Sequence, residues 1–411
     1  MLLKWTKKLS ALPLCQRPET CVDDYMVNAA AISDDGSRVV GGTYYQNYVS
    51  TSRRRVDGRY GVYGFSTPQP GTLLFKHEYD GDKGIYAVAI SGDGTVAAGG
   101  GLLTKGKFNP FRPKRGVLLA FDAANGNTLL DTSDLPDRVN AVALSRNGGV
   151  LAAVAETGLF VFLRAASGLF SNPPNVVDLA GYCETVAVHP SGTWLAAADQ
   201  KGNVYVIAIA GGVVGAPATW TALEPEDPSR PLSFKVPVKF HSIAVSRTSD
   251  ALAVGGPDVV YLLTRASMTG ATPGPVARYS SFDGTSKHNV RCVAIADAGS
   301  FVIAVANDTN MGANKGRLIK LSRSGAKLTE DWVAALDHPP NSTSVDSSGT
   351  RIVVADGYPN RTPGAFYLFN NLGVKLGTQV TVDMNWPVQV SANGSGIVGG
   401  GDDNSLLFFT P

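Results

Sequence analysis

Ile85-Tyr-Ala-Val-Ala-Ile-Ser-Gly-Asp-Gly-Thr95 decides how this chain folds, because its pattern returns along the whole sequence. A mostly apolar run ends in a Ser, and a turn rich in Asp and Gly follows; Asp-Gly between apolar runs is a strong hairpin signal. Related stretches are Val27 to Ser37, Val139 to Gly149, Glu184 to Thr193, His241 to Asp250, Val290 to Ser300, Asn341 to Thr350 and Trp386 to Ser395. The residue before each turn serves as an anchor: Ser33, Ser91, Ser145, His189, Ser246, Ala296, Asp346 and Ser391, spaced by 44 to 58 residues. These stretches define repeats one to eight. After each turn comes a small-residue strand such as Leu195 to Ala198, then a bulkier third strand such as Leu159 to Leu163. A repeat of this size is one four-stranded blade of a propeller. Only 20 residues follow Ser391, enough for three strands, and Leu2 to Leu9 supplies the fourth. The expectation is an all-β, eight-bladed β-propeller closed by pairing of the N- and C-terminal strands. It is one domain over residues 1–411, with residues 1–10 completing the last blade.

Composition agrees with that reading. Of 411 residues, 44% are hydrophobic and 17% charged, too apolar for a disordered chain, and 46 Gly with 24 Pro suit many tight turns. The longest apolar run, Val204 to Ala216, is interrupted by Gly211 and Gly212 and falls short of the ~20 residues of a spanning helix. A net charge of +2 leaves no global attraction to nucleic acid or membrane, so a charged partner must meet a local patch. The basic start, Lys4, Lys7 and Lys8, precedes an apolar stretch too short for an export signal and broken by Pro13. With Cys15, Cys21, Cys183 and Cys292 forming no CxxC pair, a cytoplasmic protein with reduced thiols is expected.

On these repeats the chain resembles the WD-repeat-like and quinoprotein-like β-propellers over nearly its full length. The Gly-His and Trp-Asp dipeptides of true WD repeats are absent from every copy, so that family's structural tetrad is not expected. Val117 to Leu130 resembles the strand-and-turn motif of quinoprotein blades, where an Asp opens the hairpin and a Gly closes it.

Catalytic signatures are sparse. Gly101 to Lys107 fits the spacing of a phosphate-binding loop, but Phe108 replaces the Ser or Thr that would hold magnesium, and Pro110 and Pro113 oppose a following helix. The acid pairs Asp80 with Asp82 and Asp402 with Asp403 read as hairpin turns. Cys292 reads as a small buried strand residue. His241 and His288 precede inner strands of successive repeats, but no metal set and no cofactor is expected.

Geometry points to one face, carrying the loops that enter each first strand and those joining second to third strands. The latter are short in repeats three, four, five and eight, and long in six, seven, one and two. Repeat one offers Arg53, Arg54, Arg55 and Arg59 among tyrosines, and repeat two Lys105, Lys107, Arg112, Lys114 and Arg115 beside Phe108 and Phe111. Basic and aromatic residues so interleaved suit an anionic polymer or an acidic protein. The leading expectation is therefore a non-catalytic binding platform or adaptor subunit with protein partners, contacting an anionic partner through this arc. One alternative is a propeller enzyme, quinoprotein-like or lactonase-like, working at the channel mouth through Tyr86, Arg138, Tyr182, His241, His288, Arg291 and Trp386. Another is a nucleic-acid-binding propeller.

Overall fold

A computed structural model describes residues 1–9, 25–45, 58–81, 84–103, 115–156, 158–225, 235–280, 288–308, 315–358 and 363–411. Nearly every element among them is a β-strand; the single helix, Arg265–Thr269, is one turn capped by Thr264 and Ser267. The strands form antiparallel four-strand meanders whose order in space follows the order in sequence, except that Leu2–Lys8 lies at the edge beside Ser405–Thr410. Repeat three is Val139–Leu144, Val150–Ala155, Gly158–Leu163 and Asn175–Asp178; repeat four is Cys183–Val188, Trp194–Asp199, Asn203–Ala210 and Val213–Thr221. Two eight-stranded sheets each consist of two meanders, linked by Tyr44 pairing with Gly84 in one and Arg278 with Lys327 in the other. A small hairpin, Leu223–Pro225 with Lys235–Pro237, follows repeat four. Among the described residues no helix is long and apolar enough to cross a membrane.

The anchors explain why the turns recur. The Ser91 hydroxyl is buried; it donates to Asp93 Oδ1 at 2.6 Å and accepts the backbone N–H of Val96 at 2.9 Å. Asp93 in turn accepts the N–H of Thr95. Gly94 completes the turn at φ +70°, a conformation costly for a residue with a Cβ. Ser33, Ser145 and Ser391 repeat the same bonds to Arg38, Val150 and Gly396. In place of a WD tetrad, Asp199 accepts the Tyr205 hydroxyl at 2.8 Å, and Asp356 accepts that of Tyr367 at 3.0 Å.

Small residues in the second strands have a steric cause. Apolar residues opening one inner strand press on glycines in the previous repeat: a Cβ on Gly100 would lie 2.4 Å from Val139, and one on Gly42 would lie 2.8 Å from Ile85. Gly400 and Val27 stand in the same relation, at 2.5 Å. Each core cluster accordingly draws on neighbouring repeats, as where Leu118, Ala120 and Leu130 meet Leu151, Phe160 and Phe162.

The N-terminal strand Leu2–Lys8 pairs antiparallel with Ser405–Thr410, from Leu2 opposite Thr410 to Lys8 opposite Ser405. Trp5, buried, lies 5.4 Å from Phe408 and 5.8 Å from Phe65, and its indole N–H donates to Thr67 O at 3.1 Å.

Candidate functional site

Most inner strands begin with a register shift, so that one residue escapes the ladder and its side chain is re-aimed. Shifts between Val27 and Ala29, Ile85 and Ala87, Val139 and Ala141, and Cys183 and Thr185 single out Asn28, Tyr86, Asn140 and Glu184. Later shifts single out Arg291, Asn341 and Trp386 with Pro387. Three of these residues stitch repeats together: Asn28 donates to Tyr86 O at 3.0 Å, Asn140 to Cys183 O at 2.9 Å, and Asn341 to Asn385 O at 2.7 Å.

Repeats one to four place a guanidinium among tyrosines at this end. Arg138 Cζ lies 4.1 Å from the centre of the Tyr86 ring, which Tyr44 meets edge-on at 4.2 Å. Arg138 Nε donates to Asn140 Oδ1 at 2.8 Å and Nη2 to the Tyr182 hydroxyl at 3.0 Å; that hydroxyl donates to Asn140 Oδ1 at 3.1 Å. Arg138 is half-buried. Burial works against its charge but is outweighed by Tyr86, Tyr182 and Tyr44, which hold it above the ordinary arginine value. Burial, with Tyr86 adding, pushes the Tyr44 hydroxyl up, so it stays neutral at physiological pH.

Beside this cluster Glu184 Oε2 lies 3.1 Å from His241 Nδ1, and Gln200 Nε2 donates to Oε1 at 2.8 Å. The His241 hydrogen bond, stronger here than the opposing effect of burial, holds the Glu184 carboxyl below the usual range. Trp386 donates its indole N–H to Asp402 Oδ1 at 2.6 Å, and burial pushes that carboxyl up to about 6. Inward from the mouth, a cavity of about 370 Å³ is lined by inner strands, including Ser242, Cys292, Ser342, Ser344 and Gln389, and reaches Arg247.

The structure thus brings Tyr86, Arg138 and Tyr182 into one cluster and sets His241 against Glu184, whereas Trp386 has its own partner in Asp402. Arg291 is exposed at the equivalent position of repeat six. His288 pairs with Asp308 in the ladder, and its side chain lies outside the described residues. So do Arg53, Arg54, Arg55, Lys105, Lys107, Arg112 and Lys114, with the side chain of Arg59. Arg115 opens the strand Arg115–Asp122 opposite Leu103 and is exposed. Of Gly101 to Lys107, the first three residues end the strand Val96–Leu103 and the rest lie outside the described residues. In the quinoprotein-like segment Asp122 Oδ1 accepts the N–H of Ala124 at 2.8 Å, a turn-forming bond.

Sequence reading missed Asn140 and Glu184, and counted Tyr44 among the tyrosines of the repeat-one arc rather than with Arg138. The arrangement offers a pre-oriented cation, phenol hydroxyls and an aromatic face, which is chemistry for holding a ligand. Among the described residues no group of three or more His, Cys, Asp or Glu is placed to hold a metal. Burial pushes the Cys183 thiol up to about 12 and raises that of Cys292, so both are poor nucleophiles at neutral pH.

No family model matches the sequence, and no curated protein does. Solved structures do match in fold. Sqt1 from Saccharomyces cerevisiae aligns over 100% of this chain and 99% of its own, with a TM-score of 0.66 and 9% identity. Sqt1 from Chaetomium thermophilum, bound to the N-terminus of the ribosomal protein L10, covers 95% of this chain and 98% of its own at a TM-score of 0.63 and 15% identity. The Cps50 (Swd1) β-propeller domain from Myceliophteria thermophila covers 79% and 96%, at 0.56 and 10%. The fold is a WD-repeat-like β-propeller. At such low identity the likeness is one of architecture, and this propeller's chemistry must be read from its own residues.

Proposed function

We propose that this propeller is a non-catalytic platform for a protein partner, one domain of eight blades closed by the strand Leu2–Lys8, with its binding face at the channel mouth. The ring is supported by contacts between repeats eight and one that copy those between consecutive repeats. Val27 packs on Gly400 as Val139 does on Gly100, Ile32 N donates to Gln389 Oε1 at 3.3 Å, and Asn393 N donates to Asp34 O at 3.1 Å. A closed ring has no open sheet edge and fixes its loops on a rigid frame, where function commonly resides.

The observation carrying the binding reading is the cluster of Tyr44, Tyr86, Arg138, Asn140 and Tyr182, built at the mouth from several repeats, with Tyr44 buried and the other four only partly covered. Tyrosine and arginine are the side chains that dominate protein interfaces. The Chaetomium Sqt1 match shows that a propeller of this architecture takes the N-terminus of another protein. The free thiols of Cys183 and Cys292 suit a cytoplasmic setting. Affinity capture from the native host followed by crosslinking and mass spectrometry tests the reading. Partner crosslinks should concentrate on the mouth loops; crosslinks confined to the outer strands, or no partner at all, would refute it.

A further inference from the structure

An outermost strand presents a row of backbone N–H and C=O groups without a ladder partner, and proteins blunt such edges with charge, proline, brevity or a cover. Most repeats here obey. Charges such as Lys76, Asp131 and Lys8 sit on the outer strands of repeats one, two and eight. Repeat three ends in a four-residue strand closed by Asp178, and the outer strand of repeat four carries Pro217. The edges of repeats five and six meet each other, where Arg278 pairs with Lys327.

Repeat seven does not. Its outer strand, Lys375–Val380, has one charge, and that ammonium lies 5.5 Å from the centre of the Tyr367 ring in its own sheet. Apolar side chains crowd there instead: Leu372, Val374, Leu376, Val380 and Val382 are each 51–73% exposed. Among the described residues no strand pairs with the outer side of this one. Thr381 N–H donates inward to Gly364 O at 2.9 Å. Backbone groups of successive strand residues alternate between the two sides, so those of Val380 and Thr378 point outward. Leu376, next in that alternation, is skipped by the inner ladder, in which Leu368 faces Gly377 and Phe369 faces Lys375.

We propose that a second copy of this chain pairs with this edge, the two Lys375–Val380 strands running antiparallel about a two-fold axis at Thr378. That register sets Thr378 opposite Thr378, and Leu376 of each copy opposite Val380 of the other. Outward backbone groups then meet outward groups, and apolar side chains meet apolar ones. Charge favours a second copy as the occupant: Lys375 falls opposite Thr381, so no like charges meet, and a strongly charged partner would find little to pair with. The same operation at Thr6 in repeat eight would set Lys4 against Lys8. A two-fold contact closes on itself and stops at a dimer. It lies on the outer strand, away from the mouth, and does not rest on the platform reading.

Sedimentation equilibrium of the full-length protein tests the proposal. The mass should rise with concentration from 43.0 kDa toward twice that value and no further. Val380→Lys, which sets an ammonium against Leu376 twice in each dimer, should raise the dissociation constant at least about tenfold. Leu376→Lys is the second variant should Val380→Lys fail to fold, as judged by its melting temperature. Register is read separately. Thr378→Cys should form an intermolecular disulfide under mild oxidation, beyond any seen in the wild type, since directly opposed residues lie about 5.5 Å apart at Cα. Gln379→Cys should not, because its two copies are offset along the strands beyond the ~7 Å limit. A wild type that is monomeric at every concentration, or that grows past a dimer, overturns the proposal. So does a dimer left intact by both lysine variants, or one crosslinked through Gln379→Cys instead of Thr378→Cys. None of these outcomes bears on the mouth, whose test is the crosslinked partner.

Discussion

Arg247 Nη1 lies 2.5 Å from Asp34 Oδ1, although 213 positions separate the two residues. Each stands next to an anchor serine, Ser246 in repeat five and Ser33 in repeat one. The second Asp34 oxygen takes Arg146 Nε from repeat three at 3.1 Å, and Arg247 Nε lies 3.6 Å from Asp297 of repeat six. Four repeats are therefore tied across the axis at the turn end. The tie lies at the end opposite Arg138 and its tyrosines.

The tie should be measurable as a coupling. Asp34→Asn and Arg247→Gln should each cost about 1–3 kcal/mol, as expected for a charged hydrogen bond that is partly shielded from water. The double variant should lose less than the sum, with a coupling of about 0.5–3 kcal/mol, because the residues touch. Urea denaturation of the four proteins checks this, and strict additivity would mean that the pair is solvated and idle.

Much of this architecture was legible in the sequence because its determinants are local. Ser91, Asp93, Gly94 and Thr95 bond chiefly to one another, so the turn's chemistry sits within five letters. The glycines of the second strands, such as Gly42, Gly100 and Gly400, record the next repeat's Val or Ile pressing on them. At the site, Tyr86, Arg138 and Tyr182 could be picked out as residues entering inner strands. Asn140 and Glu184 were overlooked, although each stands five positions before its anchor, Ser145 or His189, as Tyr86 does before Ser91. Tyr44 carried no such signal. It ends a second strand, and its contact with Tyr86 depends on how two repeats pack, which no local pattern encodes. The Asp199–Tyr205 and Asp356–Tyr367 pairs were hidden for the same reason, since each joins residues whose partnership depends on strand register.

Closure at the termini should show in stability. Trp5 bridges the last meander and the first through Phe408, Phe65 and Thr67. Trp5→Ala should cost about 3–5 kcal/mol, the usual range for a buried Trp, whereas Thr6→Ala, at an exposed position one residue on, should be nearly neutral. Deleting residues 1–10 should expose the Ser405–Thr410 edge and cause aggregation. Gly400→Val, which must displace Val27, should cost about 1–3 kcal/mol, as should Gly100→Val against Val139. Melting curves unchanged by Trp5→Ala and Gly400→Val would argue against a closed ring.

Asp356 gives a pH dependence of defined sign. It is fully buried, and burial, only partly offset by the N–H of Ala365 and the Tyr367 hydroxyl, pushes its carboxyl up to about 6. An unfolded Asp titrates near 3.9, so between about pH 4 and pH 6 the folded state binds more protons than the unfolded one. Stability therefore falls as pH rises through that window, by about 2–3 kcal/mol from this group. Asp356→Asn should remove this contribution, so the difference between wild type and variant should change with pH from 4 to 7 and level off above. A constant difference across that range would mean that Asp356 is already ionised throughout.

The basic connections of repeats one and two supply the last test, because steering and a held contact make different demands on charge. Arg53, Arg54, Arg55, Lys107 and Arg112 fall on the connections that follow the strands ending at Tyr45 and Leu103. Charges of this kind attract an acidic partner over roughly a Debye length, about 8 Å at physiological salt, and act mostly on the association rate. Changing all five to Glu should abolish binding at low salt, and a melting temperature within a few degrees of the wild type checks that the fold is kept. Arg138→Gln should act differently. It removes a held contact, so the complex should dissociate faster, and that loss should persist at high salt where the loop effect is screened. Association and dissociation rates of the captured partner, measured from low to high salt on both variants, separate the two roles. If the five-Glu protein still binds at low salt, these five charges are bystanders; if both variants lose only association rate, the contact at the mouth is steering throughout.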